Sequence, residues 1–239
     1  MHKSLFVIAA LGSLALASPA MAAHELPPGD SGSPFAMPLT PTGALLADTG
    51  LQSVSRTQSG TTLNTTMRSA VYRMGEFLDF YYQITNLGTS NTSINELTFS
   101  SFAGFDLSST GTGAWQQLGA FGVFTDGVEM ADSARRGPDG SVIGANFGTN
   151  LFNDVDAGAN SLLNPGETSS IFQIRTRASN FQLGTFTAQN GIGLTGMGFA
   201  PAAAVPEPGT WMMMLLGIGM IGGALRSRKK KNLNAQLAF

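Results

Sequence analysis

From Thr61 to Phe199 the chain is built of short runs in which apolar and polar positions alternate. In Phe77 to Thr85, Leu78, Phe80, Tyr82 and Ile84 fall on one face. Asp79, Gln83 and Thr85 fall on the other, with Phe77 and Tyr81 as apolar exceptions there. A period of two is what a strand with one buried face imposes. Ile94 to Phe102 sets Leu97 and Phe99 on one side. Ile171 to Ala178 points Phe172 and Ile174 inward and Gln173, Arg175 and Arg177 outward. Phe181 to Ala188 and Ile192 to Phe199 read as further strands, and Thr-rich Thr61 to Met74 supplies one or two more. Asn86-Leu87-Gly88, Asn164-Pro165-Gly166 and Asn190-Gly191 punctuate them as turns. Short strands at this spacing predict a mainly β fold. The expected form is an antiparallel β-sandwich, immunoglobulin-like or jelly-roll-like, with a barrel as the main alternative. Ser108 to Asn160 is less regular and reads as long loops on one edge.

The two ends break this pattern. Met1-His2-Lys3 is positive, Leu5 to Ala17 is apolar, and Ser18-Pro19 precedes the small residues of Ala20-Met21-Ala22. That order is a secretory signal peptide over residues 1–22, with signal peptidase expected to cut after Ala22. Residues 23–45 form a Pro/Gly-rich lead-in, either flexible or an extended edge segment. The β-sandwich ectodomain is expected over 46–200.

Beyond it, Pro206 and Pro208 forbid helix interior, and Thr210 is a natural N-cap. Fifteen uncharged residues then run from Trp211 to Leu225. As a helix they rise roughly 22 Å, short of a hydrocarbon core of about 30 Å. Trp211 suits one interface, and Arg226, Arg228, Lys229, Lys230 and Lys231 form a membrane stop that holds the C-terminus in the cytoplasm. One short C-terminal transmembrane helix is therefore expected.

Charge and composition narrow the function. Between residues 23 and 204 there are seven arginines, no lysine and fourteen carboxylates. Such a surface argues against nucleic acid and against docking on anionic headgroups through a basic patch. The chain has no cysteine, and after signal cleavage only His24 remains. Thiol chemistry, a Ser-His-Asp triad and multi-His metal sites are thereby excluded, and no cofactor is expected. Asp154, Asp156 and Asn160 offer the alternating oxygens of a calcium loop. The fit is poor, because Gly158 and Pro165 stand where ligands are needed. Asp126, Glu129, Asp132 and Asp139 would serve a carboxylate-dependent hydrolase only if two converged; solvated charge is the plainer reading. Phe102, Phe105, Trp115, Phe121 and Phe124 read as core rather than as a sugar-stacking platform. An exopolysaccharide-binding module would need Trp115 or nearby Phe rings exposed on a flat face. Asn64-Thr65-Thr66 and Asn91-Thr92-Ser93 match an N-glycosylation pattern.

Val205-Pro206-Glu207-Pro208-Gly209-Thr210-Trp211, the Gly-rich apolar run and the basic cluster together resemble the PEP-CTERM sorting signal of exported bacterial proteins. The sorting signal is then residues 201–231, followed by a short tail at 232–239 that extends past the usual family end. The resemblance implies recognition of Pro206, Glu207 and Pro208 by an exosortase, an integral-membrane cysteine protease. It also implies a Gram-negative, exopolysaccharide-making source and a fate at the cell surface or in the biofilm matrix. The expected role is non-enzymatic; the alternatives are a carbohydrate-binding module and a secreted hydrolase.

Overall fold

The computed structural model describes residues 25–32, 35–36, 43–109, 111–148, 162–203 and 212–221. Within them thirteen strands form two sheets that face each other, as the alternation predicts. The lead-in supplies β1 (Ser31–Gly32) and β2 (Phe35–Ala36), and then come β3 (Ala44–Asp48), β4 (Gln52–Gln58), β5 (Thr61–Met74) and β6 (Phe77–Asn86). After β7 (Glu96–Phe99) follow β8 (Gly113–Gln117), β9 (Ser133–Arg136) and β10 (Ile143–Asn146). β11 (Ile171–Thr176), β12 (Asn180–Asn190) and β13 (Ile192–Ala202) complete the sandwich, and residues 212–221 form helix α1.

The first sheet runs β2-β8-β11-β6-β5-β3, with β4 also paired to β5; the second runs β1-β9-β10-β7-β12-β13. Pairing between neighbouring strands is antiparallel except for β2 on β8. Two-residue hairpin loops set the register of β4–β5–β6. Ser59 and Gly60 both have positive φ (52° and 83°), as a turn matched to the strand twist requires.

The core lies between the sheets. Leu78, Phe80, Tyr82 and Ile84 of β6 are all buried there, as are Phe172 and Ile174 of β11. Across the gap, Phe99 of β7 sits 4.2 Å from Tyr82 and 5.2 Å from Phe172, measured between ring centroids. Burying such rings contributes on the order of 2–3 kcal/mol each, and their tilted and stacked pairing adds to it.

One expectation changes. The polar face of β6 and β11 is not open to water: Asp79, Tyr81, Gln83 and Gln173 are buried as well. Residues 118–128 cross over that face and bring Phe121 and Phe124 onto Tyr72, Tyr81 and Ile171, making a second apolar cluster. The first sheet is thus buried on both sides, which explains why Tyr81 interrupts the polar pattern.

Candidate functional site at the C-terminal end of the sandwich

Among the described residues β13 is the last strand and the edge of its sheet. An open edge of unpaired peptides invites association with other chains. Here side chains of the opposite sheet occupy it. The Gln52 carboxamide donates to the Met197 carbonyl (2.8 Å) and accepts from the Met197 N–H (3.0 Å). Arg56 donates to Gly193 O at 2.6 Å. Ser69 Oγ accepts the Phe199 N–H at 3.0 Å, and the buried Tyr82 hydroxyl donates to the Phe199 carbonyl. The sandwich is closed along this side by side chains acting in place of a strand.

The same device recurs twice. Gln83 donates to Thr125 O at 2.8 Å and accepts Thr125 N–H at 3.1 Å, tying the 118–128 crossing to β6. Gln116, fully buried, donates to Ala131 O at 2.7 Å and accepts Ala131 N–H at 2.8 Å. Each carboxamide pairs with both polar groups of one residue, as a neighbouring peptide would.

Two arginines organise the interior. Arg175 grips Asp79 with two bonds, 2.5 and 2.7 Å, and its guanidinium carbon lies 5.4 Å from the ring centres of both Phe77 and Trp115. Arg136 is buried with four carbonyls: Leu26 (3.1 Å), Phe102 (2.9 Å), Phe105 (2.6 Å) and Gly140 (3.0 Å). It pins the lead-in, the loop after β7 and the β9–β10 turn to one point. Burial pulls its pKa below the usual arginine value, against the opposing charges of Asp106 and Asp139.

The sequence candidates fall as follows. Trp115 is only 4% exposed, and Phe102, Phe121 and Phe124 are buried too, so these rings present no stacking platform. Phe105 packs half-buried against the core. Two of the four carboxylates serve their own loops. Asp126 accepts the Ala120 N–H at 2.6 Å. Asp139 caps its own turn through the N–H and hydroxyl of Ser141, which hold its carboxyl below the ordinary range. Glu129 and Asp132 are buried beside β9. Among the described residues no three acidic or histidine side chains are grouped to hold a metal ion. Asp154, Asp156 and Asn160 lie outside the described residues. Both glycosylation-pattern asparagines are committed within the fold: Asn64 Nδ2 donates to Thr89 O at 3.2 Å, and Asn91 Nδ2 to Gly60 O at 2.9 Å.

The chain leaves the sandwich at the open end of the β12–β13 hairpin, where Ala202 pairs with Asn180. Pro206, Glu207, Pro208, Arg226, Arg228, Lys229, Lys230 and Lys231 lie outside the described residues. Helix α1 between them is Met/Leu/Ile-rich. Its large side chains, Met212 to Ile221, stand 55–72% exposed, so the helix is apolar all round and is not covered by the described residues of the domain. Its ten residues rise about 15 Å, and among the described residues no helix is long and apolar enough to cross a membrane.

Residues 204–229 match the family model of the PEP-CTERM protein-sorting motif. No curated protein and no solved structure matches the chain.

Proposed function

We propose, from a chain whose last strand runs directly into a PEP-CTERM protein-sorting motif, that it is an exosortase substrate exported to the cell surface. The observation that carries this is the motif's position: it starts two residues after β13 ends at Ala202. Residues 1–22 direct export and are removed by signal peptidase. The apolar run and basic cluster then hold the C-terminus in the inner membrane, cytoplasmic side in, until exosortase acts at Pro206-Glu207-Pro208. The sandwich is the cargo, released to the surface or matrix of a Gram-negative cell.

The cargo is read as non-enzymatic. Its buried glutamines and Arg136 hold loops and edges together, and of the carboxylates suspected from sequence Asp126 and Asp139 serve turns and loops. Association with exopolysaccharide is the matrix role we assign. It is supported by the outer face of the second sheet, where Thr195, Thr187 and Thr98 share one register row. Thr187 Oγ1 and Thr195 Oγ1 lie 3.0 Å apart. Such a face recognises glycan hydroxyls by hydrogen bonding rather than by stacking.

The test is deletion of the exosortase in the producing cell, followed by fractionation and sizing of this chain. The expected result is retention of a longer form in the inner membrane. Unchanged size and unchanged location would overturn the sorting claim. Binding of the secreted form to purified exopolysaccharide, lost in a Thr187→Val, Thr195→Val double variant, tests the matrix role.

A further inference from the structure

On a β-strand, side chains two apart share a face, so Leu183 of β12 and Met197 of β13 lie on the outer face of the second sheet, with Phe181 and Phe199 beside them, partly buried and packed against the core. The Leu183–Phe199 pair lies beside Phe181–Pro201, next to the point where the chain leaves the fold. Leu183 is 60% and Met197 53% exposed, while Phe181 and Phe199 are half-buried with ring centres 5.5 Å apart. Leu51, 71% exposed, adjoins Gln52, whose amide is fixed to Met197. None of these residues carries charge. At the same end Arg73, exposed, donates to Ser179 O at 3.0 Å and makes no ion pair among the described residues.

An apolar patch with aromatic rings and a cation at its rim has the composition of a membrane-interface surface. The chain itself says which surface is near. Nine residues, 203–211, separate Ala202 from the apolar helix α1, a reach of at most about 35 Å. While that helix sits in a bilayer, the hairpin's open end is the part of the sandwich held closest to it.

We infer that the patch formed by Leu51, Phe181, Leu183, Met197 and Phe199 is a lipid-docking surface, which rests on the outer leaflet of the inner membrane while the precursor is anchored. The inference rests on the anchored stage of the sorting reading. Docking sets the orientation of the sandwich and keeps residues 203–211 close to the membrane, where an integral-membrane protease works. The exposed side chains of Leu51, Leu183 and Met197 enter the interface, the half-buried rings support them from the core side, and Arg73 meets lipid phosphate. The body's net negative charge keeps the rest of the domain off an anionic leaflet, so contact is confined to this end.

The chain contains no cysteine, so single labels can be placed cleanly. The full chain is reconstituted in phosphatidylethanolamine–phosphatidylglycerol vesicles. It carries a fluorophore on Leu183→Cys, on Met197→Cys or on Ser31→Cys, the last at the far edge of the same face. Flotation reports anchoring, and quenching by spin-labelled lipid reports contact. The expected result is flotation of all three, with about twofold quenching at positions 183 and 197 and little at 31. Adding Leu183→Asp, a change at an exposed position, is expected to abolish quenching at 197. Flotation without quenching at 183 and 197 overturns the docking inference and leaves the anchor standing. Equal quenching at all three sites also overturns it. Disulfide-linked dimers through Leu183→Cys without lipid quenching would assign the patch to a second copy instead. Failure to float would overturn the anchored stage and the docking together.

Discussion

Gln52, Gln83 and Gln116 each pair a carboxamide with the N–H and C=O of one residue, but at different depths. Gln116 is fully buried, Gln83 is 6% exposed, and Gln52 lies at the solvent-facing edge. Replacing glutamine by leucine removes both bonds and leaves two backbone groups without partners. Where water cannot reach, each orphaned group costs about 1–3 kcal/mol, and the added apolar burial returns part of it. At Gln116 the expected loss is therefore about 3–4 kcal/mol, with Ser170 Oγ, 3.1 Å from Gln116 Oε1, losing an acceptor as well. At Gln83 it is about 2 kcal/mol, and at Gln52, where water replaces the amide, under about 1 kcal/mol. Urea unfolding of the full chain in mild non-ionic detergent, followed by far-ultraviolet circular dichroism, measures all three. The ranking is the test. Equal losses, or a larger loss at Gln52 than at Gln116, would refute the claim that these amides stand in for peptide neighbours at a cost set by solvent access. The isosteric Gln116→Glu change removes the donor while keeping the shape, and is expected to be at least as damaging as leucine.

Arg136→Met strands four carbonyls and is expected to cost about 3–5 kcal/mol in the same assay. Arg135→Ala, one residue away on the outer face, breaks only the partly exposed pair with Glu96 and should cost under about 1 kcal/mol. Gln173→Leu should stabilise by about 1 kcal/mol, because both amide atoms of Gln173 are buried without hydrogen-bond partners; a clear loss of stability would refute that description. The thermal midpoint should fall in acid. The Arg68 side chain on Asp48, the Ser108 hydroxyl on Asp106 and the Ser141 N–H on Asp139 all lower the folded carboxyl pKa values. Their stabilisation is thus present above about pH 4 and lost as pH falls below it. It should fall again above about pH 10, since burial raises the folded pKa of Tyr81 and Tyr82 and favours their neutral form. A midpoint independent of pH across both windows would remove these assignments.

The strands that were legible in sequence are those whose two faces differ. β6, β7, β11, β12 and β13 announce themselves through Leu78–Ile84, Leu97–Phe99, Phe172–Ile174 and the hairpin around Gly191. β8 does not, because Gly-Ala-Trp-Gln-Gln is buried at every position and carries no alternation. Its glutamines look like surface residues until Ala131 arrives from elsewhere in the chain. β9 is hidden for a related reason: Arg135 and Arg136 are adjacent and alike, yet one faces water and the other four carbonyls. The crossing at 118–128 could be suspected only from Tyr81, an aromatic on a face otherwise polar. Gly127 is required there for close approach, since a Cβ would lie 2.1 Å from Ser169 O. The sorting segment, by contrast, is local in its chemistry. Prolines, an apolar run and a basic cluster mark the motif by their own composition, so reading it needs no tertiary partner.

β13 pairs with β12 from Ile192 to Ala202 and receives Gln52, Arg56, Ser69 and Tyr82 from the other sheet. It is also the strand made last. A chain emerging from its N-terminus therefore carries an open β12 edge, and four side chains awaiting partners, until almost the whole domain has passed. Pairings this distant in sequence form slowly, and exposed edges aggregate in the interval. The apolar run follows within ten residues of Ala202. Completion of the fold and emergence of the sorting motif are therefore nearly simultaneous events. A chain that stalls earlier has neither its last strand nor its address, so incomplete molecules are barred from sorting by the order of the elements alone.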